Sequence, residues 1–173
     1  MKIWIGVLVA IFAFGGSVLA AELTVTVNLV SVDGVGKEIG TIKATDTQYG
    51  LVLQPQLSDL PPGLHGFHLH ENASCAPAKK DDKMTAAQSA GAHFDPKKSG
   101  KHEGPYADGH LGDIPALYAG ADGIANVPVL VPRLKVEDLK GHAIMIHAGG
   151  DNYSDQPAAL GGGGARIACG VIQ

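Results

Sequence analysis

The residues of this sequence best suited to chemistry are its eight histidines, three of which lie close together in the segment 64–70. Side chains alternate across a β-strand, so His68 and His70 share one face while His65 lies on the other face among apolar neighbours. Two imidazoles on one strand face can reach a single metal ion. We therefore predict that His68 and His70 are metal ligands and that His65 is a buried hydrogen-bonding residue.

A second group of possible ligands comprises His93, His102, His110 and Asp113, at successive spacings of 9, 8 and 3 residues. Three imidazoles and a carboxylate can form a closed tetrahedral zinc site with no position left for water. The short step from His110 to Asp113 lets one turn supply two ligands. The alternative interpretation is a solvated loop that happens to contain several histidines.

His147 ends an apolar run and is placed to join the first pair. It lies on the strand face opposite the two isoleucines that precede it, and it can reach His68 and His70 if the two strands are neighbours. His142 lies on the isoleucine face, so we predict a structural role for it.

Short strands with Gly and Pro turns must position these side chains. Period-two alternation predicts strands over 22–30, 37–43, 49–53, 63–70, 124–130, 142–147 and 165–172. Only 134–139 could form a turn or two of helix. The pattern predicts an all-β domain, either an antiparallel sandwich or a barrel.

The segment 72–118 lacks this alternation. A loop of that length in a compact domain is usually functional, or is held by a metal or a disulfide. It carries one cysteine, three histidines and six lysines, the lysines being at 79, 80, 83, 97, 98 and 101. These lysines either raise the association rate of an anion or form a solvated surface, and the sequence does not decide between the two.

Residues 1–20 have the layout of a secretory signal peptide: Lys2, an apolar run over 3–14, and small residues ending at Ala20. A transmembrane anchor is the alternative, but the apolar run is short of the roughly 20 residues that span a bilayer. We predict cleavage after Ala20 or Ala21, which leaves one domain, 21–173, in an exported protein without a membrane segment.

The charge balance limits the possible partners, and the predicted export predicts the state of the two cysteines. A formal net charge of −4 argues against a nucleic-acid binder that neutralises phosphates. In an oxidising compartment the even pair of Cys75 and Cys169 predicts a disulfide, with two free buried thiols as the alternative.

Taken together, several segments resemble the copper–zinc superoxide dismutase family. They are GLHGFHLHE at 63–71, GAHFDP at 91–96, HLGD at 110–113 and the glycine-rich stretch 161–169. The stretch 141–152 resembles the bacterial periplasmic branch. The resemblance covers nearly all of the chain after residue 20, in order, and implies a Greek-key β-barrel (immunoglobulin-like sandwich) with long metal-binding loops.

The resemblance also implies the cofactors, which are one copper ion and one zinc ion per subunit. The copper ligands that it implies are His68, His70, His93 and His147. The zinc ligands that it implies are His93, His102, His110 and Asp113. His93 would then bridge the two metals as an imidazolate and act in catalysis, and Cys75 and Cys169 match the family disulfide.

Two further residues match the family by position. Asp151 matches the carboxylate that accepts hydrogen bonds from one copper and one zinc histidine, which we expect to be His70 and His102; Asp155 is the alternative. Arg166 matches the catalytic arginine beside the copper channel, where a fixed guanidinium attracts and orients a small anion.

The activity implied is dismutation of superoxide to dioxygen and hydrogen peroxide, as an antioxidant defence in the periplasm. A periplasmic copper-binding or storage protein is the alternative; a zinc hydrolase would need an open metal position and a nearby base. Tyr106, in the loop, is a candidate interface residue for a homodimer, although the sequence does not give the oligomeric state.

Overall fold

The computed structural model describes residues 20–173. The predicted signal peptide therefore lies, except for its last residue, outside the described residues. The strands are β1 Glu22–Ser31, β2 Gly34–Thr47, β3 Gly50–Leu57, β4 Gly63–His65, β5 Phe67–His70, β6 Ala78–Lys80, β7 Lys83–Thr85, β8 Leu117–Ala119, β9 Val129–Val131, β10 Ala143–His147 and β11 Arg166–Val171. Short 3-10 helices cover Gln88–Ala90, Val136–Leu139 and Leu160–Gly162.

The strands form a curled antiparallel sheet of seven members in the order β5-β10-β11-β1-β2-β3-β9. Hairpins connect β1, β2 and β3, and β11, from a distant part of the chain, lies on the other side of β1, between β1 and β10. This is the Greek-key arrangement. The predicted all-β Greek-key fold is confirmed.

A corner at Gly66 links β5 to a second, two-stranded sheet formed by β4 and β8. Gly66 donates its N–H to the carbonyl of Gly149, and its own carbonyl accepts from the N–H of His147. The chain that leaves β10 therefore runs back along the start of β5. This register places the end of β10 beside β5, the strand that carries His68 and His70.

Side-chain alternation on β5 and β10 separates a hydrophobic core from the face that carries His68, His70 and His147. Phe67, Leu69, Ile144 and Ile146 are fully buried in the main core. Met145, on the opposite face of β10, packs in a smaller apolar cluster around the disulfide. Because the histidines of both strands occupy the face away from the main core, the long loops can close over them.

The strand predicted over 124–130 is wrong in its bounds. Only an isolated bridge joins Ala125 to Leu57, and the ladder starts at Val129, after Pro128, which has no N–H to contribute. The segment 72–118 holds a hairpin of β6 and β7 that the sequence analysis misses, because its strands lack apolar alternation. Asp81 and Asp82 turn this hairpin with φ of 50° and 60°, as a tight two-residue hairpin turn requires.

Candidate metal centre

The pairing of β5 with β10 brings the first histidine group together. His68 lies opposite Met145 and His70 opposite Ala143, while His147 ends β10 at a register shift between Ile146 and His147. The three imidazoles are buried and share one face of the sheet. The predicted neighbourhood of the two strands is confirmed.

Two pieces of the long loop lie along the free side of β5. Isolated bridges join His70 to His93 and His68 to Asp113. Phe94 donates its N–H to the carbonyl of Leu69 at 2.8 Å, and Leu69 donates to the carbonyl of Gly112 at 2.9 Å. The loop residues of the second group are thus held against the same strand as the first group.

Four imidazoles form the first cluster, with one ring nitrogen from each of His68, His70, His93 and His147 within 4.8 Å of one another. Nδ1 of His68 and Nε2 of the other three are buried and have no hydrogen-bond partner among residues 20–173. Buried polar atoms in proteins are nearly always paired. Four convergent unpaired imidazole nitrogens therefore fit a metal ion, and this donor type suits copper.

The second cluster is centred on one carboxylate oxygen. Oδ1 of Asp113 lies 3.0 Å from Nδ1 of His93, 3.0 Å from Nδ1 of His102 and 3.4 Å from Nδ1 of His110. Zinc bonds of about 2.0 Å in a tetrahedron place ligand atoms about 3.3 Å apart. The spacing of these four atoms fits that geometry, and all four residues are buried.

His93 belongs to both clusters. Its Nδ1 faces Asp113 in the second cluster, while its Nε2 has no partner in the part of the chain described and faces the first. The ring stacks on that of His68 with a centroid distance of 4.0 Å. One imidazole is therefore placed between two sets of donors.

Asp151 joins the two clusters from the opposite side. Its Oδ2 lies 2.8 Å from Nε2 of His68, and its Oδ1 lies 2.8 Å from Nε2 of His102. The expectation that its first partner is His70 is wrong. The chain after His147 runs beside the start of β5, so Asp151 meets His68, which is nearer to that end of the strand.

Asp155, the alternative for that role, does not contact a histidine ring. Its Oδ2 accepts the main-chain N–H of His102 at 2.9 Å, and its Oδ1 accepts that of Leu160 at 3.1 Å. Gly161 closes this part of the loop, with φ of 71°. A Cβ there would lie 2.8 Å from Nε2 of His102 and would collide with the Asp151 carboxylate, so only glycine fits.

Individual histidines of the two clusters differ in proton affinity in the metal-free chain. Burial lowers the pKa of His68 to about 3 and that of His147 to about 4, so both rings are neutral near pH 7. Burial disfavours the charged form of His102 as well, but the hydrogen bond that it donates to Asp151 and the nearby Asp113 carboxylate outweigh this effect and raise its pKa to about 9. Both carboxyls have pKa values lowered by their histidine partners despite burial.

Arg166 stands at a cavity of about 140 Å³ that opens onto the first cluster. Its Nη1 and Nη2 donate to the carbonyls of Ala87 and Gly91, each at 2.6 Å. The other lining residues are His70, Lys80, Thr85, Gln88, Ala92, His93, His147, Leu160, Gly164 and Ala165. Thr85 and Gln88 are missed by sequence analysis because they belong to no periodic or clustered pattern.

The cysteines form the predicted disulfide. Cys75 and Cys169 are bonded and join the loop after β5 to β11, which confirms the bridge and excludes the two free thiols. The two remaining histidines belong to neither cluster of described residues. Both ring nitrogens of His65 lie 2.7 Å from main-chain carbonyls, and His142 donates from Nδ1 to the carbonyl of Glu71 at 2.8 Å.

Comparison with known proteins finds relatives over most of the chain. Residues 38–172 match the family model of copper/zinc superoxide dismutase. The chain is 54% identical to a Cu-Zn superoxide dismutase of Photobacterium leiognathi over 162 residues, which cover 93% of each protein.

Two solved structures are similar over most of the chain. A Cu/Zn superoxide dismutase from Brucella abortus superposes with a TM-score of 0.87 at 48% identity, covering 88% of this chain and 100% of the other. A monomeric copper, zinc superoxide dismutase from Salmonella enterica gives 0.80 at 56% identity, with the same two coverages. This chain belongs to the copper/zinc superoxide dismutase family.

Proposed function

We propose that the protein is a periplasmic superoxide dismutase with one copper and one zinc ion per subunit. Copper is held by His68, His70, His93 and His147. Zinc is held by His93, His102, His110 and Asp113. The observation that carries the proposal is the position of the His93 ring, whose two nitrogens face the two donor sets.

Copper held by these four histidines would supply the one-electron redox chemistry of dismutation, in which one superoxide is oxidised to dioxygen and a second is reduced to peroxide. The protein contributes binding and protons. Arg166 keeps its charge although burial lowers its pKa, and its guanidinium attracts a small anion into the cavity. Nε2 of His93 faces the first cluster, so a proton on that atom can be passed to the reduced product.

Lys80 supports this substrate class. It lies on the exposed hairpin of β6 and β7 and lines the cavity with Arg166. A cationic side chain at the edge of a narrow cleft raises the association rate of an anion. We infer that Lys80, of the six loop lysines, steers superoxide.

We also propose that residues 1–20 are a signal peptide that directs the protein to the periplasm. The disulfide of Cys75 and Cys169 is suited to an oxidising compartment. Across the described part of the chain, none of the helices has the length and apolar character needed to cross a membrane. Amino-terminal sequencing of protein recovered from the periplasm would test this: a first residue at Ala21 or Glu22 is expected, and an intact Met1 would contradict it.

A homodimer is proposed through the exposed apolar face around Tyr106. This side chain is 75% exposed beside a cleft of about 200 Å³ that Tyr118 and Leu130 also line. Exposed apolar patches commonly mark interaction sites. Sedimentation of the unsubstituted protein and of the Tyr106→Ser variant tests the dimer. An unsubstituted protein that is monomeric at micromolar concentration would contradict it.

The activity is tested by superoxide consumption with protein carrying both metals, copper alone or no metal. We expect turnover with both metals and none in the metal-free chain. Protein that binds copper tightly at the four histidines yet consumes no superoxide would instead be a copper-binding protein.

A further inference from the structure

Arg133 donates four hydrogen bonds to the main chain of the loop that carries the zinc ligands. Its Nε donates to the carbonyl of Pro105 at 2.9 Å and its Nη1 to that of Gly109 at 3.2 Å. Its Nη2 donates to the carbonyls of Gly104 at 3.1 Å and His110 at 2.6 Å. Four of the five N–H groups of the guanidinium are used in this way.

The four acceptors belong to buried residues in a segment without regular structure. A buried carbonyl that lacks a partner is costly, and here the partner is a side chain from outside the loop. Within residues 20–173, no carboxylate oxygen lies within 4.0 Å of Arg133, so its contacts are directed to the loop carbonyls. The guanidinium therefore specifies the path of residues 104–110.

The position of Arg133 is itself fixed by the core. Val131, at the end of β9, and Leu134 are each 1% exposed on either side of it. Val131 pairs with Leu51 of β3 in the seven-stranded sheet. Through Arg133, the loop is therefore hydrogen-bonded to a residue that the seven-stranded sheet holds in place.

The contacts of Arg133 lead directly to zinc ligands. The carbonyl of His110 accepts from both Arg133 and the N–H of Asp113, the second of these at 3.3 Å. The N–H of His110 donates to the carbonyl of Lys101, next to His102, at 2.9 Å. One side chain therefore constrains the main chain at His110 and, through single hydrogen bonds, at Asp113 and Lys101.

We propose that Arg133 is a positioning residue that sets the affinity of the zinc site by holding its loop in the binding conformation before the metal arrives. This rests on the proposed zinc ligands. A preorganised loop loses less conformational freedom on binding, so the metal binds more tightly. Residues that orient ligands typically contribute a factor of 10 to 100 in metal affinity.

Zinc affinity of the metal-free protein tests the proposal by competition with a chelator, with cobalt(II) as a spectroscopic replacement. Arg133→Lys keeps the aliphatic stem and the charge but cannot make four directed bonds. We expect its zinc dissociation constant to rise about 10- to 100-fold and the cobalt absorption bands to change. Lys135→Gln, at an exposed position two residues along, is the matched control and should bind zinc as tightly as the parent.

Amide hydrogen exchange of the metal-free variants gives a second measurement. Arg133→Lys should accelerate exchange in 104–110 and leave β1 and β2 unchanged. Unchanged zinc affinity and cobalt bands in Arg133→Lys, with only the free energy of unfolding lowered, would overturn the proposal. A parent protein that shows no tetrahedral cobalt spectrum would instead overturn the zinc site itself.

Discussion

Arg166 and His70 donate hydrogen bonds to the same acceptor, the carbonyl oxygen of Gly91, at 2.6 and 3.0 Å. The bond from Nδ1 of His70 fixes the tautomer that leaves Nε2 free for a metal. The guanidinium is therefore held at a set position relative to a proposed copper ligand. The proposed substrate guidance by Arg166 and the proposed ligand orientation of His70 therefore share one loop carbonyl.

Replacing Arg166 should lower turnover without removing the metals. Arg166→Ala removes the cation and its bonds to Ala87 and Gly91, and we expect about a tenfold or greater loss in the rate with superoxide, since the anion loses its fixed partner. Metal content, measured by elemental analysis, should match the parent. Equal rates for variant and parent would count against the guiding role.

Arg166→Lys separates charge from geometry. An ammonium cannot donate to both carbonyls while also facing the cavity, so we expect a rate between those of the parent and Arg166→Ala. A full rescue by lysine would show that charge alone matters at this position.

Lys80 is predicted to act through long-range attraction. Lys80→Ala should lower kcat/KM at low ionic strength, and the difference from the parent should shrink as salt is added, because salt screens exposed charges. Pulse radiolysis over a range of ionic strengths measures this. Lys79→Ala is the matched control, because Lys79 is also exposed on β6 but does not line the cavity.

The sequence predicts the ligand histidines because strand alternation fixes which face each side chain occupies. Over the predicted strand 63–70 it separates His68 and His70 from His65, and over 142–147 it separates His147 from His142. Among the described residues, the structure brings His68, His70 and His147 into the first cluster and leaves His65 and His142 outside both clusters. Alternation is a local property, so no knowledge of the fold is needed.

Contacts that depend on the path of a loop are not available from the same rule. Asp151 meets His68 instead of His70 because the chain turns back along Gly66 after β10. Lys80 reaches the cavity because Asp81 and Asp82 turn a hairpin that has no apolar pattern. The four bonds of Arg133 likewise join segments far apart in the chain, with no motif to mark them.

The metal-free protein should be most stable near pH 6.5. Below that pH the unfolded chain protonates histidines whose ordinary pKa is about 6.5, whereas burial lowers the folded pKa to about 3 for His68 and about 4 for His147. Because the unfolded chain then binds more protons, the free energy of unfolding falls as the pH drops, by up to about 1.4 kcal/mol per pH unit for each group.

Above pH 6.5 the free energy of unfolding should instead fall as the pH rises, because of His102. Burial opposes its protonation, but Asp113 and Asp151 raise its folded pKa to about 9, so the folded chain binds the extra proton and loses this stabilisation as the pH rises. Urea unfolding at pH 4.5, 6.5 and 8.5 measures both the acid and the alkaline decline in the free energy of unfolding. Saturating zinc, which replaces that proton, should abolish the alkaline decline; a curve unaffected by zinc would contradict the assignment.

Removing the shared ring should uncouple the two metals. In the parent, Nδ1 of His93 lies beside Asp113 and Nε2 lies within the first cluster, so metals bound at the two clusters would be coupled through this ring. With cobalt(II) in the zinc site, adding copper should shift the cobalt bands of the parent. In His93→Ala the copper and cobalt spectra should simply add. His142→Gln, which removes a histidine outside both clusters, should behave as the parent does, whereas a paired-metal spectrum that persists in His93→Ala would show that the bridge runs through another residue.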